Sequence, residues 1–179
     1  MSAFQTWQRS LLNVTLMQTA WFACVLGASR GNYLAGPVAV VVITALHLRI
    51  LSKDPRREGL VIAAAALFGF LVETSLTAAG GYIPNRGYLP SPLGPLWMTA
   101  LWANFATLLD HSLRWLRDRP ALAAFAGALG GPAAFLGGER LGAVAIEGAY
   151  GILLLAVAWA VAMPLLAELS GRYLARAGR

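Results

Sequence analysis

Glu73, Glu147, Asn104 and Gln18 are the side chains with which this sequence could do chemistry in an apolar setting. Each falls inside a run of apolar residues long enough for a helix across a bilayer. At 1.5 Å per residue, Glu73 and Glu147 both come to about 10 Å below the outer ends of their runs, Asn104 to about 13 Å and Gln18 to about 16 Å. Four helices thus each offer one polar group in the outer half of the membrane. Tyr150 follows Glu147 by one turn on the same face, as Thr77 follows Glu73. An ionised carboxylate turned towards lipid costs about 2.5–3.5 kcal/mol on insertion scales, so two of them call for a protein-lined or wet interior. A neutral carboxylic acid in such a pocket can donate a proton or a hydrogen bond. On this reading Glu73 is the catalytic acid and Glu147 its partner, while Gln18, Asn104 and Tyr150 orient a substrate. The alternative is packing, with both acids hydrogen-bonded across helices to Asn104 and Gln18.

The stretch 94–116, GPLWMTALWANFATLLDHSLRWL, adds Trp97, Trp102 and His111 to the candidate binding residues. Asn104 and His111 are two helical turns apart and would share a face with Trp97. Trp21, Trp102 and Trp159 lie deep enough to line a cavity, although core packing is their commoner role. Trp7, Trp115 and Tyr173 fit an inner aromatic belt, and Tyr33, Tyr82, Tyr88 and Trp97 an outer one. A second polar group, Asn13, His47, Asp110 and His111, falls near the cytoplasmic ends of its helices. No metal-ligand spacing connects its histidines, so they are expected to hydrogen-bond neighbouring helix ends, with a proton relay at His111 as the alternative. No phosphate-binding loop, Ser-His-Asp pattern, CxxC pair or dinucleotide fingerprint is present, and no cofactor is named. Cys24 is the sole cysteine, so an internal disulfide is excluded.

Composition explains why these groups stand out. The chain is 58% hydrophobic and 12% charged, with mean hydropathy +0.63. A soluble domain carries about twice that charge. The expected fold class is all-α: a single integral membrane domain over 1–179, with six transmembrane helices at about 10–29, 33–51, 59–80, 95–115, 120–137 and 141–166. The last is expected to bend at Pro164. The first run carries Asn13 and Gln18 and exceeds a signal core, so it reads as a retained helix. In the fifth, the small pairs Gly127/Gly131 and Ala133/Gly137 let helix backbones approach closely. The net charge of +6 does not indicate nucleic-acid binding, because the basic residues punctuate the ends of apolar runs. Of 14 Lys and Arg, all but Arg30, Arg86 and Arg140 fall in the N-terminal segment, the second and fourth loops and the basic tail. That asymmetry predicts both termini on the cytoplasmic side.

Three segments carry a resemblance. WFACVLGAS, LWANFATLLDHSLRWL and GGPAAFLGGERLGAVAIEGAYG are similar to a bacterial family of uncharacterised inner-membrane proteins, the domain of unknown function 2878. The likeness covers nearly the whole chain. It highlights Trp97, Trp102, Phe105, His111, Ser112 and Trp115, and later Glu139, Arg140 and Gly142. Glu73 resembles an acidic position of the family that is more often aspartate. The resemblance implies fold and topology and no activity. Glu73, Gly80-Gly81, the Tyr/Pro loop and Pro95-Leu96-Trp97 also look like membrane carotenoid hydratases. That analogy implies a neutral acid protonating an isoprenoid double bond, with aromatic faces stabilising the cation.

The expected function is therefore binding, with or without modification, of a lipid or isoprenoid in an intramembrane polar cavity of a bacterial inner-membrane protein. The alternatives are a small proton-coupled carrier and a non-catalytic scaffold. The expected partners are membrane lipids and, for the scaffold, another membrane protein.

Overall fold

The computed structural model describes residues 3–85 and 89–175. Arg86 and Tyr88, and the tail beyond 175 with Arg176 and Arg179, lie outside the described residues. Among those described, six α-helices follow in order: α1 (Ala3–Ser29), α2 (Ala35–Ile50), α3 (Pro55–Ala78), α4 (Leu96–Ala106), α5 (Pro120–Arg140) and α6 (Gly148–Ala175). Two short strands, β1 (Tyr82–Pro84) and β2 (Val144–Ile146), lie in the connections after α3 and α5. Four helices are long and apolar enough to cross a membrane: Trp7–Ser29, Pro55–Ala78, Pro120–Arg140 and Gly148–Tyr173. Large apolar side chains such as Phe22, Leu67, Phe125 and Leu153 stand exposed on their outer faces, as a lipid-facing surface requires.

Local chemistry sets the helix boundaries. Asp54 caps α3, its Oδ1 accepting the Arg57 N–H at 3.2 Å, and Pro55 takes the first helical position, where its missing N–H costs nothing. Gly31 ends α1 and Gly142 ends α5, with φ of 78° and 77°. Each lets the next residue's N–H reach back to a carbonyl five residues earlier, Asn32 to Gly27 at 2.8 Å and Ala143 to Gly138 at 2.9 Å. The tight turn at Gly31 folds α2 back on α1, where Gly36 lies directly against Cys24.

The fourth and sixth helices depart from expectation. α4 is 11 residues long and stops at Ala106, not near Trp115. From there the chain tightens into i to i+3 turns, Thr107 to Asn104, Leu108 to Phe105 and Leu109 to Ala106, and then a 3-10 turn over Arg114–Leu116. Thr107 Oγ1 donates to the Asn104 carbonyl at 2.7 Å, while the Thr107 carbonyl is taken by Asn13 at 3.1 Å. Side chains thus compete with the helical ladder at its end. α6 begins at Gly148, because 144–146 extend as β2 and the Ile146 N–H binds Glu139 Oε1 at 2.7 Å. It then runs through Pro164 to Ala175, well past Leu166, since one proline removes one ladder bond. α5 likewise includes Gly138, Glu139 and Arg140, which had read as a turn.

Packing divides the bundle. α1, α2, α3 and α4 pack together; α5 lies along α6; and α3 joins the two groups by also packing on α6. Gly127 and Gly131 make the α5–α6 seam, where a β-carbon would stand 2.2 Å from the Trp159 carbonyl oxygen and 2.2 Å from its ring, respectively. Ala133, of the other small pair, is exposed. β1 pairs antiparallel with β2, Tyr82 opposite Ile146 and Pro84 opposite Val144. This ribbon ties the connection after α3 to the connection after α5 and turns Tyr82 inward.

Candidate functional site

Glu73 sits in the second-last turn of α3 with no exposed surface. Both carboxylate oxygens are held. Trp102 Nε1–H of α4 donates to Oε1 at 2.7 Å, and Tyr82 O–H of β1 donates to Oε2 at 2.6 Å. An indole N–H can only donate, so Oε1 stays an acceptor and any proton on Glu73 belongs on Oε2. The Tyr82 phenol, outside the helices, is pushed well above its ordinary pKa, first by burial and then by the carboxylate beside it, which keeps it a donor. Gly69, one turn before Glu73, gives Trp102 its place: a β-carbon there would stand 2.0 Å from Trp102 Cγ. Trp102 in turn stacks on Trp159 of α6, with ring centroids 4.5 Å apart and planes at 16°.

A cavity of about 530 Å³ opens beside this carboxylate, between α1 and α4 on one side and α5 and α6 on the other. That volume falls in the range of small-molecule sites. Its walls are apolar and rich in indole, with Trp21, Trp97, Trp102, Trp115 and Trp159 all contributing. The α5 wall supplies small residues, including Gly130 and Ala134, and this lack of side-chain bulk leaves the space open. Three polar atoms on the wall are buried without a partner: Trp97 Nε1, Trp159 Nε1 and Asn104 Oδ1. The Asn104 amide nitrogen is satisfied by the Met17 carbonyl at 2.9 Å, so its oxygen is the free end. An unpaired buried polar group costs about 1–3 kcal/mol. Three among the lining residues, Trp97 and Asn104 from α4 and Trp159 from α6, mark where a ligand's polar atoms would be held.

Of the residues singled out from sequence, Glu73, Asn104, Trp97 and Trp102 meet at this cavity, and exposed Gln18 lines its edge. Trp97 and Tyr82 are 2% and 1% exposed, so neither belongs to an outer aromatic belt. Glu147 is not Glu73's partner: it precedes α6 and is exposed, because β2 takes up the residues expected to begin that helix. Its contribution is a backbone N–H donated to the Gly81 carbonyl at 3.2 Å. Tyr150 is also exposed, its hydroxyl donating to the Ala79 carbonyl at 3.2 Å. His111 lies beyond the end of α4, so it shares no helix face with Asn104 and does not line the cavity.

His111 belongs instead to a second buried cluster. Glu58 Oε1, in the first turn of α3, is 2.6 Å from His47 Nε2 at the end of α2 and 3.1 Å from His111 Nε2. Asn13 of α1 places its amide nitrogen 3.3 Å from His47 Nδ1, and Ser112 donates to Asn13 Oδ1 at 2.7 Å. Asn13, His47 and Glu58 are essentially fully buried. Asp110 stands apart, paired with Arg117. Sequence reasoning missed Glu58 by leaving it in a basic loop, although Asp54-Pro55 already marks a helix start. It missed Tyr82 because nothing local reveals a strand of three residues.

Comparison with curated proteins and with solved structures gave no match. Five of the residues that the resemblance highlights fall at structural joints: Trp102 on Glu73, His111 and Ser112 in the second cluster, Glu139 and Gly142 at the turn into β2. One family model matches residues 10–165, most of the chain, and on that match the protein belongs to the family described as Protein of unknown function (DUF2878).

Proposed function

We propose that this protein is a multi-pass membrane protein that holds a lipid or isoprenoid in the cavity beside Glu73, with Glu73 as the acid that acts on it. The carrying observation is the lining of this cavity. A fully buried carboxylate with two fixed donors adjoins an indole-lined space bearing three unpartnered polar atoms. An apolar chain fits such walls, and a hydroxyl or carbonyl on it would pair with the free indole N–H groups or with Asn104 Oδ1. Proton donation from Oε2 to a double bond would leave a cation facing Trp102 and Trp159, whose rings favour it. The carboxylate can then take back a proton from a neighbouring carbon, so the double bond moves and no co-reactant is consumed. In this reading the chain crosses the cytoplasmic membrane six times with both termini inside. α4 and the turns up to Leu116 together make the fourth crossing, and the distribution of Lys and Arg sets the orientation.

The test starts from the purified full-length protein. Extraction and mass spectrometry of bound lipid should recover a defined isoprenoid or acyl species. Gly130→Leu should lose it, because Gly130 lines the cavity and a β-carbon there meets nothing within 4 Å. A deletion strain should show altered lipids that the wild-type gene corrects. Full correction by Glu73→Gln would remove the acid role, and absence of any bound lipid from the wild type would remove the binding role.

A further inference from the structure

We propose that His47, Glu58 and His111 form a binding site for one borderline divalent cation of the Zn2+ type, separate from the cavity beside Glu73. The three side chains come from three segments: the last turn of α2, the first turn of α3 and the turns after α4. They present like atoms to one point, two imidazole Nε2 nitrogens and one carboxylate oxygen, all within 4.8 Å of one another. In a tetrahedral zinc site, metal–ligand bonds of about 2.0–2.2 Å put neighbouring donor atoms about 3.3 Å apart. Here the two nitrogen–oxygen separations are 2.6 and 3.1 Å. The two nitrogen–oxygen edges open by less than about 1 Å, and the nitrogen–nitrogen edge, within 4.8 Å here, closes by up to about 1.5 Å to admit the ion. Two imidazoles and a carboxylate suit Zn2+ better than the hard ions Mg2+ and Ca2+, which prefer oxygen. Three protein ligands leave a fourth position. His111, at 14% side-chain exposure against 1% and 4% for the other two, puts that position on the more open side.

Asn13 decides how the site is held. A metal on His47 Nε2 needs the ring proton on Nδ1, and an acceptor facing it. Asn13 is the group 3.3 Å from Nδ1, but it presents its amide nitrogen, which also donates to the Thr107 carbonyl at 3.1 Å. Metal binding therefore turns the carboxamide over. Its oxygen then accepts from Nδ1–H, its nitrogen donates to Ser112 Oγ, and Ser112 keeps its bond to the Ser10 carbonyl at 3.2 Å. The exchange gives up three hydrogen bonds, Asn13 to Thr107 and the two imidazoles to Glu58, for the metal's three ligands.

The experiment uses full-length protein without a histidine tag, stripped with chelator in mild detergent and titrated with Zn2+ and with Co2+. The wild type should retain one Zn2+ per chain after gel filtration, unfold at higher temperature with Zn2+ than without, and give the visible Co2+ spectrum of a tetrahedral nitrogen/oxygen site. His111→Ala, the least buried change, should lose the ion and the thermal shift while eluting as the wild type does. Asn13→Ala should keep the ligands but bind about tenfold or more weakly. If the wild type retains no Zn2+ above a detergent blank, or His111→Ala and Glu58→Gln retain as much as the wild type, the cluster is a hydrogen-bonded network alone and the metal site is wrong.

Discussion

α3 carries two buried glutamates, Glu58 in its first turn and Glu73 near its far end, about 22 Å apart along the axis. Their surroundings are opposite in kind. Glu58 faces two imidazoles that can carry positive charge, at 2.6 and 3.1 Å, and the positive end of its own helix favours its carboxylate. Glu73 faces neutral donors only, a phenol and an indole, and the space beside it is lined by indole and aliphatic surface. The first arrangement joins elements: α1, α2, α3 and the turns after α4 all meet at Glu58 through Asn13, His47 and His111. The second sets a carboxyl group beside an apolar cavity. Burial alone therefore does not tell the two carboxylates apart. The separation comes from whether a cation accompanies it and whether a cavity adjoins it.

The largest expected effect is on the joining site. Glu58→Ala removes the one acceptor shared by the buried His47 and half-buried His111 imidazoles and should cost about 3–5 kcal/mol, read as a lower unfolding temperature in detergent. Glu73→Gln should cost about 1 kcal/mol, because its amide oxygen still accepts from Trp102 while the Tyr82 hydroxyl can turn to accept from its amide group. Equal losses in the two variants would erase the contrast.

Next is the seat of Trp102. Gly69→Ala places a β-carbon 2.0 Å from the indole, which must leave both Glu73 and the Trp159 stack. About 1–3 kcal/mol of overpacking is expected, together with a change in near-UV circular dichroism. Unchanged spectra would mean that the Trp102–Glu73 bond does not fix this wall. Smaller again is Tyr82→Phe. It removes the donor to Oε2 and no apolar contact, so the ring keeps its edge-on packing on Phe135, with centroids 4.9 Å apart. The expected cost is about 1–2 kcal/mol, and a loss no greater than that of an exposed substitution would show that Oε2 has another partner.

How far sequence could see this follows from the solvent. In a bilayer both the lipid-facing and the inward-facing residues are apolar, so hydrophobic runs reveal where helices lie and say little about which way they face. The run at 59–80 found α3, and Glu73 stood out as an acid within it. The same logic put Glu147 at matching depth, and there it failed. Gly142 and the Glu139 carboxylate turn 144–146 into a strand, pairing that only the distant 82–84 segment makes visible. His47 and His111 were recognised as a possible pair, but the residue that joins them was assigned to a loop. The expected helix 4 is too long for a related reason: Thr107 and Ser112 look tolerable in a helix until Asn13 and Ser10 of α1 compete for their hydrogen bonds, and His111 until Glu58 of α3 does.

Glu147→Gln carries the smallest expected change and tests the comparison from outside. The side chain is exposed, and what this position gives the fold is its backbone N–H, bound to the Gly81 carbonyl beside the β1–β2 ribbon. Glutamine keeps that N–H. Stability should stay within about 0.5 kcal/mol of wild type, and bound lipid should be unchanged. Glu147→Pro removes the N–H and should loosen the ribbon that aims Tyr82 at Glu73. If glutamine alone abolished lipid binding or activity, a carboxylate outside the cavity would be part of the chemistry, and the division between an accompanied acid and a solitary one on α3 would no longer locate the site.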